Sequence, residues 1–251
     1  MPQELGLLLV FLLVFLFDTF LPKKAQSSLS IFTCVVFALF TVANVVMSGT
    51  GTSFAGMYEQ TEATYAMKLI LNAGMLIVLI QATKWANSEF VAVRRGEFYE
   101  LLLATLLGMY IMISARHFLL FVIGLETASL PLAALVAFDK KHYESHEAAA
   151  KYMFTAVFSS AIFMLGLSFV YALAGSLYFN DIAVNIMGGQ SALLVVALVF
   201  VIAGVGFKLS LVPFHLWTAD VYQGAPTAVT SYLSVISKGA AAFAFLVILA
   251  Q

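Results

Sequence analysis

The run Ala192–Ala219, ALLVVALVFVIAGVGFKLSLVPFHLWTA, decides how the chain is read. It is long enough to cross a bilayer as a helix, which takes about 20 apolar residues. Yet Lys208 lies near its middle, and Pro213 and His215 follow. Gly204, Gly206, Lys208 and Pro213 fall within ten residues. Proline removes a backbone donor and its ring collides with the preceding turn, so the run predicts a membrane helix broken near Pro213. Carbonyls freed inside a bilayer need side chains or water, and broken membrane helices therefore line cavities. A simple packing kink is the alternative at Pro213.

Downstream, Gly224-Ala225-Pro226 reads as a tight turn that opens another apolar run, Thr227–Ala250, with Lys238 at its centre. The two runs then form a hairpin, with Lys208 and Lys238 facing one another at similar depth. The small residues Gly239-Ala240-Ala241-Ala242 suit close helix packing. Trp217 and Tyr222 read as aromatics of the interfacial belt.

Six more runs precede these: Leu5–Leu21, Leu29–Met47, Met67–Trp85, Tyr99–Ser114, Phe118–Phe138 and Ala148–Ala174. Transmembrane strands would be about 10-residue alternating segments, and these runs are longer and continuously apolar. The fold class is an all-α polytopic membrane protein with about eight transmembrane helices, the seventh broken. Composition agrees: 251 residues are 63% hydrophobic and 10% charged, with a mean hydropathy of +1.01, against about 25% charged in soluble domains. Cys34 is the single cysteine, so there is no intrachain disulfide and no cysteine-based metal or iron–sulfur site. A net charge of −1 gives no nucleic-acid signal.

Lys23 and Lys24 follow the first apolar run, so that run reads as a retained anchor and not a cleaved signal. The loops after spans one, three and five hold Lys23, Lys24, Lys84, Arg94, Arg95, Lys140 and Lys141, seven basic residues. The other side has two at helix edges, Lys68 and Arg116, and a long loop Ser48–Ala66 with Glu59 and Glu62. The positive side faces the cytoplasm, which places both termini outside, in the periplasm of a bacterium. The polar segment Ala86–Phe98 separates residues 1–98, three plain apolar spans, from residues 99–251, spans four to eight. No internal repeat is visible.

A charge at mid-bilayer costs about 2.5–3.5 kcal/mol on insertion scales and marks function. Glu126, Lys208 and Lys238 lie inside spans, and Lys151 sits near the cytoplasmic start of span six. Structural ion pairs are one reading and snorkelling another, the latter strongest for Lys151. A carboxylate that approaches a buried amine holds its proton, and one that withdraws eases release, so these residues suit a proton relay joined by water. His215 titrates near neutral pH and reads equally as a gate or as a hydrogen-bonded interfacial residue. His142, His146 and Glu147 have helical metal-ligand spacing but lie in a charged loop, read as solvated.

The stretch Gly206-Phe207-Lys208-Leu209-Ser210-Leu211-Val212-Pro213-Phe214-His215-Leu216-Trp217, continuing through Asp220-Val221-Tyr222-Gln223-Gly224-Ala225-Pro226-Thr227 to Lys238-Gly239-Ala240, resembles the N-subunit family of bacterial NADH:quinone oxidoreductase (respiratory complex I). Gly124-Leu125-Glu126 and Lys151 match that family's other marked positions; spans one to three match only in character. Thr218-Ala219-Asp220 lacks the proline that commonly precedes the aspartate. The resemblance implies an antiporter-like fold of fourteen helices with two inverted five-helix repeats. Spans four to eight match the first repeat; the second is missing from these 251 residues, which read as the N-terminal part of a longer subunit. It implies Glu126 as the lysine-modulating acid, Lys208 as its partner, Lys238 as central relay, Lys151 as an auxiliary protonatable group and His215 as a motif histidine.

What the resemblance implies for function is a proton-translocating membrane subunit in the cell inner membrane. Its partners are the other membrane subunits of the complex, the lipid bilayer and protons. No redox cofactor belongs to this chain: NAD, FMN, iron–sulfur clusters and quinone sit in partner subunits. A subunit of a multisubunit cation/proton antiporter or membrane-bound hydrogenase remains open, as does a non-conducting structural or assembly subunit.

Overall fold

A computed structural model describes residues 1–20, 28–46, 49–88, 91–186 and 192–250. Lys23 and Lys24, used above for orientation, lie outside the described residues, as does Gln251. The elements are α1 (Pro2–Phe20), α2 (Ser28–Val46), β1 (Gly51–Ser53), β2 (Tyr58–Gln60) and α3 (Glu62–Ala86). After a 3₁₀ turn at Ala92–Arg94 come α4 (Arg95–Ile113), α5 (Phe118–Val136), α6 (Tyr143–Ala174), α7 (Phe179–Ile186), α8 (Ala192–Leu209) and α9 (Leu216–Gly224). The last span is α10 (Thr227–Ser231), a π-helical stretch Tyr232–Ser237 and α11 (Lys238–Leu249). Eight helical segments among the described residues are long and apolar enough to cross a membrane, matching the eight runs of the sequence. The chain is a multi-pass membrane protein.

The most enclosed span is α4, with 67% of its apolar window buried. It packs on α1, α5 and α11, and so touches both blocks of the chain. Its crossing with α5 depends on two glycines. A Cβ on Gly108 would strike the backbone of Thr127 and Ala128, and one on Gly124 the backbone of Met112. Small residues at such crossings let membrane helices approach closely. Pro131 sits inside α5 and leaves the Thr127 carbonyl without its usual helical donor.

The described part of the loop before α3, residues 49–61, carries structure that the hydropathy pattern could not show. The strands β1 and β2 form an antiparallel hairpin, Gly51 opposite Gln60 and Ser53 opposite Tyr58. Tyr58 also bridges to Ala115, and Arg116 Nε bonds Glu59 Oε2 at 2.7 Å. The Phe179 amide donates to the Arg116 carbonyl at 3.0 Å, so the hairpin side of the bundle is laced across three connections.

Three expectations need correction. Lys68 is no helix-edge cation: it is fully buried and ion-paired with Glu4. His146 and Glu147 are not loop residues, because α6 begins at Tyr143; His142 is its N-cap residue and pairs with Asp139 at 2.9 Å. Trp217 is not a belt residue but 5% exposed and packed inward.

Candidate proton-transfer site

The break in span seven comes earlier than Pro213. Ser210 adopts φ +58°; its amide donates to the Phe207 carbonyl at 3.0 Å, and the Leu211 amide to the Gly206 carbonyl at 2.8 Å. This pair of bonds is a Schellman C-cap, a motif usually built on glycine at the left-handed position. Serine there hides the stop from the sequence. Pro213 then lies three residues past the cap, in keeping with proline's inability to continue a helix. Side chains add to this: Trp217 Nε1 also donates to the Phe207 carbonyl, at 3.2 Å, and Ser159 Oγ to the Gly204 carbonyl at 2.9 Å.

Lys208 is thereby fixed in the last turn of α8, where the carbonyl ends of the helix offer negative potential to a cation. It is 5% exposed. Its Nζ donates to Ser129 Oγ at 2.8 Å and approaches Tyr152 OH at 3.4 Å. Ser129 in turn donates to the Leu125 carbonyl at 2.7 Å. A cavity of about 10 Å³, lined by Ser129, Ser159, Ser160 and Lys208 among others, adjoins the amine; that is room for roughly one water.

Glu126 lies one turn before Ser129 on α5, within electrostatic range of Lys208 but without an ion-pair contact. Its Oε1 is buried with no hydrogen-bond partner among the described residues. The acid and its expected lysine are therefore neighbours, with Ser129 taking the direct bond.

Lys238 opens the final helix of the last span. It stands at the junction of the π-helical stretch and α11, with Nζ 5.1 Å from the centroid of the Tyr222 ring. An aromatic wall joins the two amines: Tyr152 and Trp217 rings are 5.3 Å apart, Trp217 and Tyr222 6.5 Å. Tyr222 OH is buried and unpartnered among the described residues. Tyr222, read from the sequence as an interfacial aromatic, is the platform under Lys238.

Lys151 is held apart from this group. Its side chain is 42% exposed and pairs with Glu147 at 2.7 Å and Asp220 at 2.5 Å. His215 is the N-cap residue of α9 and exposed; its side chain makes no capping bond, while its carbonyl accepts from the Thr218 amide at 3.0 Å. The turn after α9 forms as read, with the Ala225 amide on the Val221 carbonyl at 3.0 Å.

Ser129, Tyr152, Tyr222 and Asp220 were not singled out from the sequence as functional. Ser129 offered a signal, being one turn from Glu126; Asp220 lay within the quoted motif. Tyr222 lay there too but read as an interfacial aromatic, and Tyr152 gave no signal, since aromatic residues are common throughout an apolar chain.

A buried lysine closing a broken helix, a second lysine at a π-helical junction and a carboxylate one turn from the first amine's partner define an antiporter-like membrane protein. The family of NADH:quinone oxidoreductase and Mrp antiporter transmembrane domains matches residues 115–251, and the chain belongs to that family. Over 249 residues it is 52% identical to NADH-quinone oxidoreductase subunit N of Phocaeicola vulgatus, covering 99% of this chain and 52% of the relative. The corresponding protein of Azobacteroides pseudotrichonymphae is 50% identical, with 98% and 52% covered. Among solved structures it is similar to a chain of respiratory complex I from Thermus thermophilus with bound aureothin: 31% identity, TM-score 0.80, 97% of this chain and 52% of that one. An archaeal membrane-bound sulfane sulfur reductase shares the fold at 20% identity, TM-score 0.71, with 95% and 50% covered. The chain spans about half the length of the curated relatives it matches.

Proposed function

We propose that the chain is part of the N subunit of a proton-translocating NADH:quinone oxidoreductase and carries protons through Glu126, Lys208 and Lys238. Residues 99–251 serve as the five-helix proton-channel repeat and residues 1–98 as the flanking three-helix block. The single observation that carries this reading is Lys208: an amine 5% exposed, at a helix end, bonded to two neutral hydroxyls and not locked to a carboxylate. A structural salt bridge would hold its proton fast, whereas Ser129 and Tyr152 hold it loosely and Glu126 stands near enough to change the balance.

In this mechanism a proton enters on the side of Lys151, Glu147 and Asp220, with His215 at the exposed break. It charges Lys208 and moves on to Lys238, with Tyr152, Trp217 and Tyr222 closing the path to bulk water. The chain performs no redox chemistry; NAD, FMN, iron–sulfur clusters and quinone are assigned to partner subunits, and the neighbours in the membrane are the other membrane subunits. The placement is the cell inner membrane with both termini periplasmic, because Lys84, Arg94, Lys140 and Lys141 share one side. A cysteine at exposed Glu144 should label from the cytoplasm only. The names carried by relatives at 50–52% identity favour the oxidoreductase over the Mrp-type antiporter that shares the family description.

Lys208→Arg tests the reading. Arginine keeps the charge but does not release its proton. In the assembled complex in vesicles, pumping should fall severely while assembly on a native gel stays normal. Normal pumping by this variant would make Lys208 a structural charge.

A further inference from the structure

Away from the Lys208–Lys238 group, a cluster of buried ionisable residues joins α1, α3 and the hairpin. Lys68 of α3 is 0% exposed and ion-paired to Glu4 of α1. Its Nζ is also 3.1 Å from Tyr58 OH and 3.3 Å from Gln60 Oε1, both on β2, and 5.5 Å from the centroid of the Tyr110 ring. The hairpin thus lids the pair. Tyr58 OH lies 2.8 Å from Glu4 Oε1, and the Met1 amine is within electrostatic range of both charges. Glu4 Oε2 is buried with no partner among the described residues.

Buried hydroxyls lead from this pair toward Lys208. Tyr110, at the lidded end of α4, donates to Asn72. Tyr232, in the π-helical stretch, is 0% exposed and within electrostatic range of Tyr110 and Tyr152. Tyr152 OH is 3.4 Å from Lys208 Nζ. Two polar atoms along this line, Tyr232 OH and Asn72 Nδ2, are buried without a hydrogen-bond partner among the described residues. Buried polar groups in proteins are bonded to protein or to ordered water in the great majority of cases, and a site with several polar partners suits ordered water.

We propose that Glu4 and Lys68 form a second proton-exchanging pair, joined to Lys208 through the hydroxyls of Tyr152, Tyr232 and Tyr110 and ordered water between them. In one transfer a proton leaves the Lys208 ammonium and one arrives on the Glu4 carboxylate. Each hydroxyl accepts on one side as it releases on the other, so the tyrosines end unchanged. Glu4, facing the hairpin, then holds the proton beside Tyr58 and Gln60 on the side of Arg116 and Glu59. The three-helix block becomes a working part of the translocator. This inference rests on the proton-carrying reading of Lys208.

Tyr232→Phe is the decisive variant, because a structural reading and this one predict opposite results. Its hydroxyl makes no well-formed hydrogen bond among the described residues and has only Thr105 as a polar neighbour, so deletion should be close to silent if it is only structure. The proposal expects about a tenfold fall in protons pumped per NADH oxidised, as for removal of a positioned proton-transfer group. Tyr110→Phe and the neutral pair Glu4→Gln with Lys68→Gln should behave alike. The assay uses the intact complex in vesicles, with Lys208→Met alongside. Parent-like pumping by Tyr232→Phe, with Lys208→Met inactive, overturns this proposal and leaves the role of Lys208 standing; parent-like pumping by Lys208→Met removes the reading beneath it. Should these variants fail to assemble, infrared difference spectra of the parent complex and of the conservative variant Glu4→Asp decide. A protonated-carboxyl band on turnover, displaced by Glu4→Asp, supports the proposal, and its absence overturns it.

Discussion

The Nζ of Lys208 bonds Ser129 Oγ at 2.8 Å, one turn along α5 from Glu126. A neutral hydroxyl therefore sits where an ion pair would have fixed the proton. Removing it in Ser129→Ala takes a bond from a buried cation, an effect of about 1.5–3 kcal/mol. The expected result is a lower unfolding temperature and weakened pumping. Tyr152→Phe, which removes the longer 3.4 Å contact, should cost less stability. Thermal unfolding of both variants in detergent checks the order.

Tyr222 acts on Lys238 through its ring face. A cation over an aromatic ring gains about 1–2 kcal/mol when partly desolvated. Tyr222→Phe keeps the ring and should pump like the parent. Tyr222→Leu loses it and should pump several-fold less, with assembly intact. Equal loss in the two variants would place the function in the hydroxyl instead, and parent-like pumping by both would remove Tyr222 from the route.

The α4–α5 crossing predicts a sharp contrast between glycines. A Cβ at position 124 would lie 2.6 Å from the Met112 amide nitrogen, where backbone cannot yield. A Cβ at position 239 would meet only the Met67 Cε, at 3.6 Å. Gly124→Ala should reduce the folded yield markedly, and Gly239→Ala should be near neutral. Yield of monodisperse protein after detergent extraction is the measurement.

His117 caps α5 from the connection under the hairpin, its Nδ1 accepting from the Leu119 amide at 3.0 Å. Burial lowers its pKa from the ordinary 6.5. The folded chain thus binds this proton less readily than the unfolded chain, so stability is full above 6.5 and declines as pH falls toward the folded value. Protonation also removes the capping acceptor. Unfolding temperatures between pH 8 and 5 should drop for the parent more than for His117→Asn, which retains an acceptor and does not titrate.

The sequence made the spans legible because a bilayer imposes a length on apolar runs, and it made Lys208 and Lys238 legible because charge there is costly. The break was legible as a region, since Pro213 stands near it. Its position at Ser210 was not, because the left-handed cap residue is not glycine. Nothing local marks the π-helical stretch Tyr232–Ser237 or the hairpin at Gly51–Gln60, which depend on packing with distant segments. The Glu4–Lys68 pair joins residues 64 positions apart, so Lys68 looked like an edge charge and Glu4 drew no reading. Trp217 looked interfacial because tryptophan often is; here its indole is spent on the Phe207 carbonyl of the broken helix.

In the proposed route Lys238 receives protons from Lys208 across the Tyr152–Trp217–Tyr222 wall. Lys238→Met in the intact complex, scored by native gel and by proton pumping into vesicles, tests this most directly. Normal assembly with pumping lost is the predicted result; normal assembly with normal pumping would contradict it.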